Sequence, residues 1–398
     1  MKRIKSLLIK SSFFTLFLFV SLNPAFASSD NEGSNNSGEH DPTEHLEASC
    51  SNVSYGKSVK EEFLYTNTKI NSTDILGSVV SPNPAGQVIV DLGLHIVELT
   101  KVDEVTNTFN IEGFMDLVWC DPRMAYEAEN GEEHGGKILL KEKAQTLLDE
   151  IWWPAVTIAN QVNGRNIENQ ELVILSDGTI EYKEKFSAEL EAHYDLKEFP
   201  FDRQKLEIEI ESFAWHDDEL IFKMNEEKIG FSNDFEIAEW HIENVESKIE
   251  SVKDLQDRAT FSEFLMEIEV VRKYDYYLWK IIIPLILLVI ISWSVFWMIG
   301  DKLVDRMSIS MTGILTIVAY QFIISDILPR VSYFTFMDTF LSISFLIMLL
   351  SVFENIIVNN LDLVEESAKA QKLDMLSRIA FPLLYLVSLI ALTLIFFL

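Results

Sequence analysis

Cysteine is almost missing from this 398-residue chain: Cys50 and Cys120 are the whole supply. They form no CxxC pair and no metal-ligand spacing, which excludes zinc ribbons and dithiol redox chemistry. A bridge between them in an oxidising compartment stays open, but nothing in the sequence brings their Cα atoms together, and we read them as free or incidental thiols. Histidine numbers seven, with no HExxH pair, so no metal site is expected. Basic residues are in deficit, 32 Lys and Arg against 62 Asp and Glu, for a formal net charge of −30. Such a chain repels phosphate backbones, and with no basic patch it is not expected to bind nucleic acid. Phosphate loops and nucleophile elbows are missing too, so neither an enzyme nor a cofactor is expected.

What the chain has instead is apolar sequence, 48% of it, arranged in two ways. Residues 1–27 join Lys2, Arg3 and Lys5 to the run Phe13 to Val20 and end Ala25-Phe26-Ala27, which predicts a secretory signal peptide. Residues 28–50 are polar and acidic, a leader expected to be disordered. From 51 to 275 strand patterns follow one another, as in Val88 to Ile96, Lys205 to Glu211 and Leu265 to Val270. Asp177-Gly178 marks a tight hairpin, and Lys141 to Ile151 a short helix. Short strands with one apolar face predict an all-β, immunoglobulin-like sandwich. Residues 276–398 carry four apolar segments, at about 278–298, 303–324, 336–357 and 379–398. The fold expected is therefore a multi-domain membrane protein, a β-sandwich followed by an all-α four-helix transmembrane domain.

Loop charge orients it. Lys302 and Arg306 fall between the first two spans, and Lys369, Lys372 and Arg378 between the last two, whereas Arg330 alone lies between the second and third. The positive-inside rule then puts the sandwich and the C-terminus outside the cytoplasm, in a cell membrane, which would be the inner membrane if the cell is Gram-negative.

One span differs from the rest. As a helix, 303–324 aligns Asp305, Ser308, Thr312, Leu315, Ala319 and Phe322 on one face. An acid and hydroxyls are costly against lipid, so this face is read as the wall of an ion pore. Hydroxyls at helix–helix interfaces are the competing explanation. One such helix cannot enclose water, so several chains must each contribute one.

Several motifs carry a family resemblance. Trp119-Cys120-Asp121-Pro122-Arg123 resembles the Trp-x-Asp-x-Arg signature of pentameric ligand-gated ion channels, the Cys-loop receptor superfamily. Trp153-Pro154 with Asn160 is similar to their Trp-x-Pro segment, and Phe199-Pro200-Phe201-Asp202 to their Phe-Pro-Phe-Asp loop. Tyr276-Tyr277-Leu278-Trp279, Ile283-Pro284, Ser292 to Trp297 and Ile327 to Arg330 resemble a bacterial, amine-gated member. No cysteines flank the Phe-Pro-Phe-Asp loop and the last inter-span loop is short, which looks prokaryotic. Trp119 and Trp153 are nevertheless read first as buried anchors of the sandwich.

The resemblance implies a homopentamer in membrane lipid, conducting monovalent cations past rings of Asp305, with Leu315, Ala319 and Phe322 narrowing the outer half. Arg306 is assigned to the back of the helix. It implies a small-molecule agonist, in the simplest case an amine, between neighbouring sandwiches at Phe114, Glu211, Phe213 and Phe261. Two departures stand: Ala159 replaces the first-loop aromatic, and the third loop, Glu246 to Arg258, has no tyrosine. A proton, hydroxide or other small molecule is therefore the alternative stimulus, and a non-conducting membrane sensor the alternative class. Asp202, Pro200, Arg272, Pro329 and Arg330 are implied to couple the sandwich to the pore.

Overall fold

The computed structural model describes residues 50, 80–84, 86–127, 136–232, 239–253, 260–298, 303–327, 331–364 and 366–398. The expected signal peptide, most of the leader, and Pro329 and Arg330 lie outside these residues.

The strands are β1 (Val88–Asp103), β2 (Thr108–Cys120), β3 (Lys137–Leu140), β4 (Val156–Ile158), β5 (Asn166–Ile174), β6 (Thr179–Glu191), β7 (Arg203–Ser212), β8 (Leu220–Met224), β9 (Gly230–Phe231), β10 (Trp240–Lys253) and β11 (Thr260–Arg272). They form two sheets. One runs β3-β5-β6-β2-β1-β8, with β9 also on β1, and the other runs β10-β11-β7-β4. Strict alternation does the sorting: Leu206, Ile208 and Ile210 of β7 are wholly buried, while Glu207, Glu209 and Glu211 face outward. Trp119 is in the core as expected, but Trp152 rather than Trp153 fills the second place. Its ring lies 6.3 Å from that of Trp119 and 5.6 Å from that of Trp215. Trp153 is half-buried, edge-on to Tyr182.

The hairpin at Asp177-Gly178 forms because Gly178 takes φ 93°, and a Cβ there would stand 2.6 Å from the Asp121 carbonyl oxygen. The Asp of Trp-x-Asp-x-Arg caps the short turn Pro122–Met124, and both its oxygens accept from Arg123, at 2.8 and 2.7 Å. The helix expected over Lys141 to Ile151 is α1 (Glu142–Leu148).

The reading of the cysteines is corrected. Cys50 and Cys120 form a disulfide, with Cα atoms 5.2 Å apart. Seventy residues of sequence separate them, so only the folded chain brings them together. Closing so long a loop restricts the unfolded chain. Cys120→Ser is expected to lower the unfolding free energy by about 2–4 kcal/mol, measured as an earlier melt of the non-reduced protein.

Four helices follow: α2 (Asp275–Trp297), α3 (Leu303–Ile327), α4 (Phe336–Leu363) and α5 (Ser367–Phe397). α2 is composite, with a π-helical stretch at Leu278–Ile282 and a 3₁₀ end at Trp293–Trp297. α4 opens on a capping box, in which the Asp338 N–H donates to Thr335 Oγ1 (3.0 Å) and the Thr335 N–H to Asp338 Oδ2 (3.1 Å). α5 begins well before the expected Ile379. The charged stretch that read as a loop, with Lys369, Lys372 and Asp374, continues the helix, because it contains no glycine or proline to stop it.

Candidate functional site

α3 packs one side against its own chain and leaves the other free. Arg306, Ser310, Ile317 and Ile324 are buried. Asp305, Ser308, Thr312 and Ala319 are exposed, as are Leu315 (71%) and Phe322 (68%). Hydroxyls therefore stand on both sides of α3, Ser310 on the packed side and Ser308 and Thr312 on the free one. Ser310 serves helix packing, accepting from Asn355 of α4 at 3.2 Å. On the free face the exposed Thr312 donates to the Ser308 carbonyl at 2.7 Å. Arg306 is at the back, donating to both oxygens of Asp374 on α5 (3.0 and 3.1 Å) and to the Met298 carbonyl oxygen at the end of α2.

At the base of the sandwich Asp202 and Arg272 are both almost fully buried and joined twice, at 2.8 and 3.1 Å. Arg272 also meets Glu104 at 2.7 Å and lies over the Trp240 ring at 4.2 Å. Gln204 donates to Asp202 Oδ2 at 2.6 Å and to the Asp195 carbonyl at 2.9 Å. The Phe-Pro-Phe-Asp loop rests on the membrane helices. Pro200 is buried, Phe199 meets Tyr277 of α2 at 4.8 Å, and Phe201 meets Phe336 of α4 at 5.5 Å and Phe397 of α5 at 5.9 Å. Two backbone groups tighten the joint: the Leu196 N–H donates to Tyr333 Oη at 3.1 Å, and the Phe336 N–H to the Lys197 carbonyl at 2.8 Å.

Among the agonist-site residues expected from sequence, Glu211, Phe213 and Phe261 gather at one end of the four-stranded sheet. Phe213 is 83% exposed, held out by a turn in which Ser212 Oγ donates to the Pro154 carbonyl (2.7 Å) and the Phe213 N–H to that of Ala155 (2.9 Å). An exposed phenylalanine on so ordered a turn is available to a partner. Phe261 packs against His216 at 4.8 Å. Phe114 is on the other sheet, half-buried, with Lys183 over its ring at 5.2 Å. The third loop is shorter than expected, since β10 stays a strand as far as Lys253.

Known proteins agree on what this arrangement is. The ligand binding domain of neurotransmitter-gated ion channels matches residues 74–274, and their transmembrane region matches residues 281–370. The chain belongs to the neurotransmitter-gated ion-channel family. It is similar to the proton-gated ion channel of Gloeobacter violaceus, 26% identical over 80% of this chain and 87% of that one. It is also similar to gamma-aminobutyric acid receptor subunits, beta-4 of Gallus gallus (23% identical over 68% of this chain) and rho-3 of Homo sapiens (23% over 75%). The chain spans 55% and 62% of the length of those two subunits. As a member it is a pentameric, multi-pass membrane channel subunit and not an enzyme.

Within the channel, sequence reasoning missed Glu263. It lies directly opposite Glu211 on the neighbouring strand and is only 7% exposed. Burial, with Glu209, Glu211 and Glu250 beside it, pushes its carboxyl up to about 7. The alternation of β11 places Glu263 on the outer face, but only the pairing register reveals what stands opposite.

Proposed function

We propose that this channel is cation-selective and opens when a small organic cation binds outside the membrane between two neighbouring chains. The free face of α3 carries the reading: Asp305, Ser308, Thr312, Leu315, Ala319 and Phe322 are all exposed on a helix whose opposite side is buried. Five such faces around one axis enclose an aqueous passage with a carboxylate ring at one mouth, which favours cations and opposes anions. The ligand site would combine Glu211, Phe213 and Phe261 of one chain with Phe114 of the next, a carboxylate among aromatic faces suited to an ammonium group. Asp202, Pro200 and Arg272 would carry the movement to the pore, since they sit where sandwich and helices meet, with Pro329 and Arg330 as further candidates from sequence. The sandwich and the C-terminus would lie outside the cytoplasm, as loop charge supports.

The test is current through the purified channel in a planar bilayer under a salt gradient, with propylammonium as the ligand. The wild type is expected to reverse near the cation equilibrium potential, and Asp305→Ala to shift reversal toward zero. An unchanged reversal potential would remove Asp305 from the filter. The name of the Gloeobacter relative makes acid the second candidate stimulus. Opening by a pH step alone, with no amine present, would replace the organic-cation reading.

A further inference from the structure

Three carboxylates cross the outer face of the small sheet in a single row. Glu250 of β10 faces Glu263 of β11, and Glu263 faces Glu211 of β7. Thr157 of β4 completes the row. Like charges directly opposite on adjacent strands stand roughly 5 Å apart at Cβ and repel one another. Glu263, in the middle, is 93% removed from water, and its side chain has no hydrogen bond or ion pair among the described residues. The charged groups that face it are Glu209 and Glu211 from β7 and Glu250 and Lys248 from β10. Lys248 is drawn aside to Glu250 at 3.3 Å and Glu267 at 3.7 Å. A largely buried carboxylate among acids, without a donor of its own, is stabilised by positive charge, either as a proton or as a bound cation. Phe261 and Phe213 flank the row, each two residues along its strand or turn.

We infer that Glu263 is a proton-exchanging member of the ligand site, so that protons and an organic ammonium compete for the negative charge of the Glu211–Glu263–Glu250 row. Protonated, Glu263 leaves the row one charge poorer and the ammonium weakly held. When the proton departs to bulk water, the ammonium supplies the missing charge. The proposal rests on the organic-cation reading of the site and adds that acid antagonises the ligand. The direction with pH follows. Glu263 holds its proton in the folded state up to about pH 7, against 4.5 ordinarily. The folded protein therefore binds more protons than the unfolded chain between those values, and its stability falls as pH rises through that window. Ligand affinity rises over the same window.

The experiment titrates propylammonium, a cation throughout, into the full-length detergent-solubilised channel from pH 5 to 8, with melting temperatures recorded alongside. For the wild type, Kd is expected to fall by up to about tenfold per pH unit below pH 7 and then level off. Glu263→Gln, the same shape without the charge, is expected to bind weakly with no pH dependence and to lose the fall in melting temperature. Glu226→Gln, an exposed carboxylate elsewhere, is expected to keep both. A flat wild-type Kd, or a slope that survives in Glu263→Gln, overturns the proposal while leaving the organic-cation reading standing. No propylammonium binding at any pH overturns both. The melting series then separates a proton site at Glu263, where the fall vanishes in Glu263→Gln, from no special role, where it persists.

Discussion

Leu315→Ser is expected to conduct without any ligand. Leu315 projects from α3 with 71% of its surface uncovered by its own chain. Around a closed ring, such side chains exclude water and stop ions without touching one another. Burying a leucine side chain stabilises by about 1.5–3 kcal/mol, so even a third of the lower figure lost per chain is about 0.5 kcal/mol. Repeated around a fivefold ring, that sums to about 2.5 kcal/mol, a shift of roughly seventyfold toward the wetted, conducting state. Unitary and resting currents in a planar bilayer measure it directly. A resting current equal to that of the wild type would mean that Leu315 lies away from the barrier. Thr312→Ser, which keeps the hydroxyl, provides a control on general damage to the helix.

The second large effect is expected at the junction. Removing one member of a buried, doubly bonded ion pair leaves an uncompensated charge and costs about 3–5 kcal/mol. Asp202→Asn and Arg272→Gln should both lower the melting temperature and suppress ligand-evoked current. They should not be equal. Arg272 has Glu104 and the Trp240 ring as further partners, so its loss strands Asp202 and Glu104 together, whereas Asp202→Asn leaves Arg272 paired with Glu104. Arg272→Gln should therefore be the more damaging. In the double variant no charge of the Asp202–Arg272 pair is left over, and gating should partly return. A double variant that recovers its melting temperature but not its current would make the pair structural alone.

Much of the architecture was legible because single-residue periodicity controls it. β7 could be read from Leu206, Glu207, Ile208, Glu209 and Ile210 alone, since alternation assigns each side chain to a face before any partner strand is known. The uncovered face of α3 was legible for the same reason at helical spacing, with Ser308 and Thr312 exposed and Ser310 buried. What stayed hidden depends on pairs distant in sequence. The Cys50–Cys120 bridge needs the fold before the two sulfurs meet. The opposition of Glu211 and Glu263 needs the strand register, which no local pattern fixes. The long start of α5 was hidden for a different reason: its Lys369, Lys372 and Asp374 suit a loop and an exposed helix equally well, and helix propensity settled the matter where charge could not.

The clamp on Arg306 has a mechanical meaning. Asp374 and the Met298 carbonyl oxygen fasten one end of α3 to two other helices, while Leu315 and Phe322, farther along, stay uncovered by their own chain. Asp305 is next to that anchor in the chain, so under the cation-selective reading proposed above the carboxylate ring would sit on the part of α3 tied to two other helices.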